Sequence, residues 1–295
     1  MKILVCLLSV LLIAQTSFAA EPQQPNVLFI IADAMKTVGQ NPSAKQSANP
    51  GAGLAAFLEE RPVDSPFFYW FGSSNPHRPY TLDSGIAAGK KLSNIDRVPA
   101  YLPDNETVRR DMLDYAMEIE AFDGQVGSLL AALDASGLAN NTLVIVTSDH
   151  GMPFPRVKGH TFDDAHHILF VACWPDGIVR PGRRVADLIN FIDLAPTFLE
   201  LFAIDGQAGG MSPISGHSFT DLLRDEPITQ RPFVIFGRER NDVLARPGTA
   251  HGLGYPVRAI RQGNFLFVRN FEPDRWPCGN PELGLKDTDD SPTKR

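Results

Sequence analysis

Cysteine is nearly absent from this chain: three residues in 295, at Cys6, Cys173 and Cys278. Cys6 falls in an N-terminal segment expected to be removed. Cys173 and Cys278 stand far apart, so no disulfide framework holds the fold and any bridge between them is optional. Runs of basic residues are missing too. With a net charge of −7, nothing offers a grip to a phosphate backbone, and a nucleic-acid partner is excluded. Beyond the first twenty residues no stretch is long and apolar enough to cross a bilayer, so no membrane span is expected in the mature chain. There is no internal repeat, which sets aside repeat architectures.

What is present describes an ordinary soluble protein, 43% hydrophobic and 21% charged, long enough for one large α/β domain or two smaller ones. Met1–Ala20 reads as a signal peptide. Lys2 supplies the positive end, Ile3–Ile13 an apolar core interrupted by Ser9, and Ser17-Phe18-Ala19-Ala20 the small residues for cleavage. The mature chain is expected to begin near Glu21 and to be exported, periplasmic or secreted.

Two apolar runs end in acids. Asn26–Ala32 leads to Asp33, and Leu143–Val146 leads through Thr147 and Ser148 to Asp149, His150 and Gly151. Both read as strands buried on both faces, and open α/β sheets bind ligands at such carboxyl ends. The plainer alternative for the second is a strand, an Asp/Gly turn and a surface histidine. Pro66–Ser74 reads as a third buried strand, followed by Asn75-Pro76-His77-Arg78-Pro79-Tyr80, whose prolines stiffen a loop holding His77 and Arg78 outward.

Between these lie a polar stretch broken at Asn41-Pro42 and Asn49-Pro50, a helix at Leu54–Glu60, and a long loop at Ser84–Pro103. The main helix is capped by Asp104 or Asn105 and runs to about Ser136. Its apolar stripe is Val108, Met112, Tyr115, Ile119, Phe122, Val126, Leu129 and Leu133, with Arg109, Arg110, Asp111, Asp114 and Glu118 on the other face. Farther on come a strand at His167–Cys173, a helix capped by Asp193 through Phe202, and a strand at Pro232–Phe236. A hairpin pairs Val257–Arg261 with Phe265–Val268 around Gln262-Gly263-Asn264. The tail from Asn280 to Arg295 is polar and offers no core. The alternation predicts an α/β sandwich, mostly parallel, with helices on both faces.

The candidates for chemistry are Asp33, His77, Asp149, His150 and Lys158. Two carboxylates and an imidazole suit a divalent cation, with oxygen favouring calcium or magnesium. A lysine with His77 would neutralise a tetrahedral oxyanion such as sulfate or phosphate. Singly, each has a structural alternative: a solvated loop lysine, a loop histidine.

With these residues in place the chain resembles the sulfatase family of the alkaline-phosphatase-like superfamily. The carrying segments are NVLFIIAD, PFFYWFGSSNPHRPY, TLVIVTSDHGMPFPRVKG, FVACWPDGIVRPG and FIDLAPTFLELF, in family order. The later RPFVIFGRERND and GYPVRAIRQGNFLFVRNFEPDRWPCGNPE are similar to the branch that includes heparan N-sulfatase-like enzymes. The resemblance implies an α/β domain over residues 21–225 and a partial C-terminal α+β region over 226–295. It implies that Asp33, Asp149 and His150 bind calcium, that Lys158 and His77 contact the sulfate and act in catalysis, and that Arg78 lies among the substrate-binding residues. The implied substrate is a sulfated sugar or another small sulfate ester.

The sequence departs from the family pattern in two places. The second acid expected after the first strand is Ala34, which leaves a cation one anionic oxygen short. The C/S-x-P-x-R motif that supplies the formylglycine nucleophile has no counterpart in its usual context, and a long segment that carries it in the family is replaced by the short polar stretch around 34–50. Ser74-Asn75-Pro76-His77-Arg78 has the S-x-P-x-R letters, but its surroundings match the family's histidine loop. No formylglycine is expected, and without it the covalent route is lost. The expectation is a sulfatase by descent with impaired hydrolysis. Two alternatives stand beside it: a non-catalytic binder of sulfated polyanions using His77, Arg78 and Lys158, and a metal-dependent phosphatase or phosphodiesterase of the same superfamily using Thr37.

Overall fold

The computed structural model describes residues 24–32, 49–63, 65–227, 231–239, 255–275 and 289–295. The signal segment, Asp33, Ala34, Thr37 and Cys278 lie outside the described residues. No helix among those described is long and apolar enough to cross a membrane.

β1 (Asn26–Ala32) is buried along its whole length and occupies an inner position of a four-stranded sheet. It pairs in parallel with β2 (Phe68–Gly72) on one side and β3 (Thr142–Ser148) on the other. β4 (Phe170–Cys173) closes the far edge, antiparallel to β3. Phe170 therefore lies opposite Thr147, and the strand begins later than the His167 expected from sequence. The sheet is thus mostly parallel, as its apolar runs imply.

One sheet face carries Leu28, Ile30, Tyr69, Phe71 and Val144 and packs against α1 (Pro50–Glu60) and α3 (Glu106–Ala135) through Leu54, Phe122, Leu129 and Leu133. The opposite face carries Val27, Phe29, Ile31, Leu143 and Ile145 and is covered by α5 (Leu194–Leu201) and α6 (Thr220–Arg224). β2 is an edge strand, so its burial alternates. Tyr69 and Phe71 are buried, but Phe68 and Trp70 are 43% and 45% exposed. The expectation of burial on both faces fails there for want of a neighbour.

Asn49-Pro50 starts α1 rather than breaking the chain. The Asn49 side chain accepts from Ala52 N–H at 3.2 Å, and proline fits the first turn, whose N–H groups have no helical partner. Asn105, not Asp104, caps α3 by accepting from Val108 N–H at 3.0 Å. The polar face of α3 is misread at two positions. Asp111 and Asp114 are both 1% exposed. Asp114 accepts from the backbone N–H groups of Asp83 and Gly85 and from the Ser84 hydroxyl, which organises α2 (Ser84–Ala87) inside the presumed loop.

Asp193 stands at the N-cap position of α5, as expected, but its side chain makes no cap bond to that helix. It is buried and accepts from Asn190 N–H, His217 N–H and the Arg231 guanidinium, clamping three segments together. A second sheet, antiparallel, is formed by β5 (Val234–Arg238), β6 (Val257–Gln262) and β7 (Phe265–Asn270). The β6–β7 hairpin pairs Ile260 with Phe267 and turns at Gly263, whose φ of +53° suits glycine. The polar tail is not idle: Ser291 is buried and Thr293 donates to the Asp111 carboxylate at 2.5 Å.

Candidate active site

Because β2, β1 and β3 run parallel, their carboxyl ends lie at the same edge of the sheet. Ala32 is paired with Ser148, so β1 and β3 end level, and Asp149 N–H still reaches the Ala32 carbonyl at 3.4 Å. Asp149 is exposed at this edge and His150 is half-buried. The His150 ring donates from Nδ1 to the Gly151 carbonyl at 2.6 Å, which leaves Nε2 as the other ring nitrogen. That Nε2 stands 3.6 Å from Asp149 Oδ1, beyond hydrogen-bonding length and an ion pair only when the ring is protonated.

Gly151 has a steric reason to be glycine. Its N–H donates to the Ala165 carbonyl at 3.1 Å, and a Cβ there would stand 1.8 Å from the Asp164 carbonyl oxygen. This contact draws α4 (Asp163–His166) onto the end of β3. Burial and the nearby charge of His150 hold the His166 imidazole below its ordinary pKa, despite the opposing pull of its bond to the His160 carbonyl.

The loop after β2 is fixed from α3. Ser73 donates to Gln125 at 2.6 Å, Gln125 donates to Asn75 at 3.0 Å, and Asn75 donates to Glu118 at 2.5 Å. The Asn75-Pro76 and Arg78-Pro79 peptide bonds are both cis. Here the orientation of Arg78 differs from the sequence reading. Its side chain points inward and only 3% is exposed. The guanidinium meets both Asp111 oxygens at 2.8 and 2.9 Å, donates from Nε to the Pro153 carbonyl at 3.0 Å, and lies over the rings of Tyr80 and Phe154. A buried acid on α3 captures the cation more strongly than water can, so Arg78 anchors the loop. His77 remains half-buried, its Nδ1 donating to the Arg78 carbonyl at 2.5 Å and Nε2 left as the basic nitrogen.

Lys158 is bound to Asp289, Nζ to Oδ2 at 2.8 Å, so its charge is met by a carboxylate from far along the chain. Sequence reasoning missed Asp289, Asp111 and the Glu118–Gln125 brace. Asp111 gave one signal: it stands on α3 between Val108 and Met112 of the apolar stripe, a costly place for an unpaired acid.

Among the described residues no group of three or more histidine, cysteine, aspartate or glutamate side chains is placed to hold a metal ion. Asp149 and His150 are two of the three metal ligands expected from sequence, and the third, Asp33, lies outside the described residues. Calcium takes about six to eight oxygen donors, and the described pair does not by itself fit it.

A family model described as Sulfatase matches residues 51–204, just over half of the chain. An ulvan-active sulfatase of Formosa agariphila is 29% identical over 230 residues, covering 75% of this chain and 41% of its own. Human N-sulphoglucosamine sulphohydrolase is 26% identical over 232 residues, covering 70% of this chain and 44% of its own. A protein solved with its substrate D-glucosamine-2-N,6-O-disulfate shares the fold at a TM-score of 0.52 and 16% identity, over 76% of this chain and 62% of that one. The chain spans less than half the length of these two curated relatives.

Proposed function

The chain belongs to the sulfatase family, and from that premise we propose that it binds a sulfate ester or sulfamate carried on a sugar. The fold is the alkaline-phosphatase-like one shared with solved sulfatases. In this reading the sulfate lies at the carboxyl edge of β2, β1 and β3, with Lys158 and His77 facing it. The observation that carries the reading is the parallel order of the three strands. It delivers the His77 loop and the Asp149-His150 pair to one edge. Lys158 supplies a compact positive charge for the anion. His77, its Nδ1 already donating, presents Nε2 as base when neutral and as a second donor when protonated.

We propose that turnover by the family's covalent route is impaired. The S-x-P-x-R letters belong to Ser74–Arg78, and that arginine is committed to Asp111 in the core. Calcium binding through Asp33, Asp149 and His150 belongs to the same proposal, weakened by Ala34, and no step depends on it. The proposal includes export on the strength of Met1–Ala20, and sequencing of the processed N-terminus is expected to begin near Glu21.

The test is calorimetry of the full chain with glucosamine N-sulfate and glucosamine 6-sulfate, alongside a sulfate-release assay on both. Binding that falls about tenfold in Lys158→Ala supports the reading, as removal of a charge-assisted contact implies. A wild-type chain that binds neither sugar overturns it. Sulfate release abolished by Asp149→Ala would overturn the impairment.

A further inference from the structure

Next to Lys158, in the same turn, stands a second group of side chains that the strand-edge site does not use. Arg156 has a left-handed backbone, φ +68°, a conformation uncommon outside glycine and asparagine. Its guanidinium carbon lies 5.1 Å from the centroid of the Phe162 ring and 6.0 Å from that of Tyr101. His160 stacks on Phe162 as well, its ring 5.7 Å away and inclined by only 20°. Phe162 is 41% exposed although it is a large aromatic residue. Three rings and a guanidinium therefore form a ledge open to solvent.

The ledge carries the exposed Arg156 guanidinium beside two acids, Asp163 and Asp164, that have other partners. Asp163 is paired with Arg261, and Asp164 accepts the Tyr101 hydroxyl at 2.6 Å. Arg97 and Arg156 both act on that hydroxyl, whose pKa is nonetheless raised by burial and by Asp164. Among the described residues the Arg156 guanidinium contacts aromatic rings and no carboxylate. Cation–π contacts keep its planar fork in place and leave its N–H edges for a ligand. Arg156 and Lys158 are two residues apart, so their Cα atoms stand no more than about 7.6 Å from each other. One ligand of a few sugar units can reach both.

We propose that Arg156 and Phe162, backed by His160 and Tyr101, form a second sugar subsite that takes an anionic pyranose ring adjoining the unit bound at Lys158. The apolar face of the sugar packs against the exposed part of the Phe162 side chain, beside the rings and guanidinium already on it, and its sulfate or carboxylate pairs with the Arg156 fork. The inference rests on the proposed sulfate reading at Lys158 and adds to it a preference for oligosaccharides whose neighbouring unit is charged.

Calorimetry of the full chain tests this with four probes: glucosamine N-sulfate, and N-sulfated glucosamine joined to a neutral hexose, to a uronic acid, or to a sulfated hexose. The disaccharides with an anionic second ring are expected to bind about tenfold tighter than the monosaccharide. Arg156→Gln is expected to erase that advantage and Phe162→Ala to reduce it, while both leave monosaccharide affinity and melting temperature unchanged. Arg156→Lys retains the charge without the planar fork and is expected to restore only part of the gain. The uronic and sulfated arms show which anion is preferred. A wild-type chain that treats neutral and anionic second rings alike overturns the subsite, as does an Arg156→Gln variant that keeps the preference. If the monosaccharide binds and is lost in Lys158→Ala while the second ring adds nothing, only the subsite falls. If no probe binds, both readings fall.

Discussion

Lys158 Nζ and Asp289 Oδ2 stand 2.8 Å apart, with 19% and 30% of their side chains exposed. The lysine proposed to meet the sulfate is therefore already paired, so an anion arriving there would have to compete with a carboxylate of the same chain. Asp289→Asn is expected to tighten binding of inorganic sulfate by roughly threefold to fivefold, the scale of a partly exposed ion pair. Titration calorimetry at low ionic strength reads this directly. An affinity equal to wild type would show that the pair does not compete with the ligand.

The Arg78–Asp111 pair is buried, and its members satisfy each other with bidentate geometry. Asp111→Ala leaves a guanidinium in the core without its counter-ion and is expected to cost on the order of 3–5 kcal/mol in urea unfolding. Replacing both residues, Arg78→Met with Asp111→Leu, is expected to cost much less than the single change. A single variant no less stable than the double would refute the anchoring role of the pair.

Gly151→Ala puts a methyl group against the Asp164 carbonyl and also 2.8 Å from Val157 Cγ1. Backbone cannot yield as a flexible side chain can, so α4 must move away from the strand end. A loss of roughly 1–3 kcal/mol is expected, together with faster hydrogen exchange at the residue 151 amide, which now donates to Ala165. A variant with wild-type stability and exchange would mean that α4 is not held there.

Burial pushes the Glu200 carboxyl up, but hydrogen bonds from Ser218 and Thr220 and the charge of Arg224 together hold it below its ordinary value. Its folded-state pKa is thus depressed. Its contribution to stability is present above the ordinary glutamate range and is lost as pH falls through the folded value. Glu200→Gln is expected to flatten the fall in urea midpoint below about pH 4.5 and to change little at pH 7 in slope. Parallel acid profiles for variant and wild type would refute this.

The central strands were legible because residues buried on both faces must be apolar on both, and Val27–Ala32 and Leu143–Val146 are. The α3 stripe was legible for the same reason at helical spacing. What stayed hidden depended on partners distant in sequence. Phe68 and Trp70 look like core residues, and only the position of β2 at the sheet edge exposes them. Asp111 and Asp114 look like solvent-facing acids until Arg78 and the N–H groups of α2 are brought against them. Of the candidate site, the placement of Asp149 and His150 at the carboxyl end of a strand was readable from an apolar run ending in polar residues. The inward turn of Arg78 was not, because proline-stiffened loops fix direction without revealing it. Nothing in the composition of Asn280–Arg295 marks Asp289 or Thr293 as partners of the site.

Those last two contacts bear on how the molecule can vary. Thr293 shares the Asp111 carboxylate with Arg78, which anchors the His77 loop, while Asp289 holds Lys158. Residues 289–295 thereby act as a strap across both halves of the edge. Substitution within this short polar segment reaches the proposed binding residues through contacts that belong to neither sheet, so it is a place where selection could retune the proposed affinity while both sheets stay as they are.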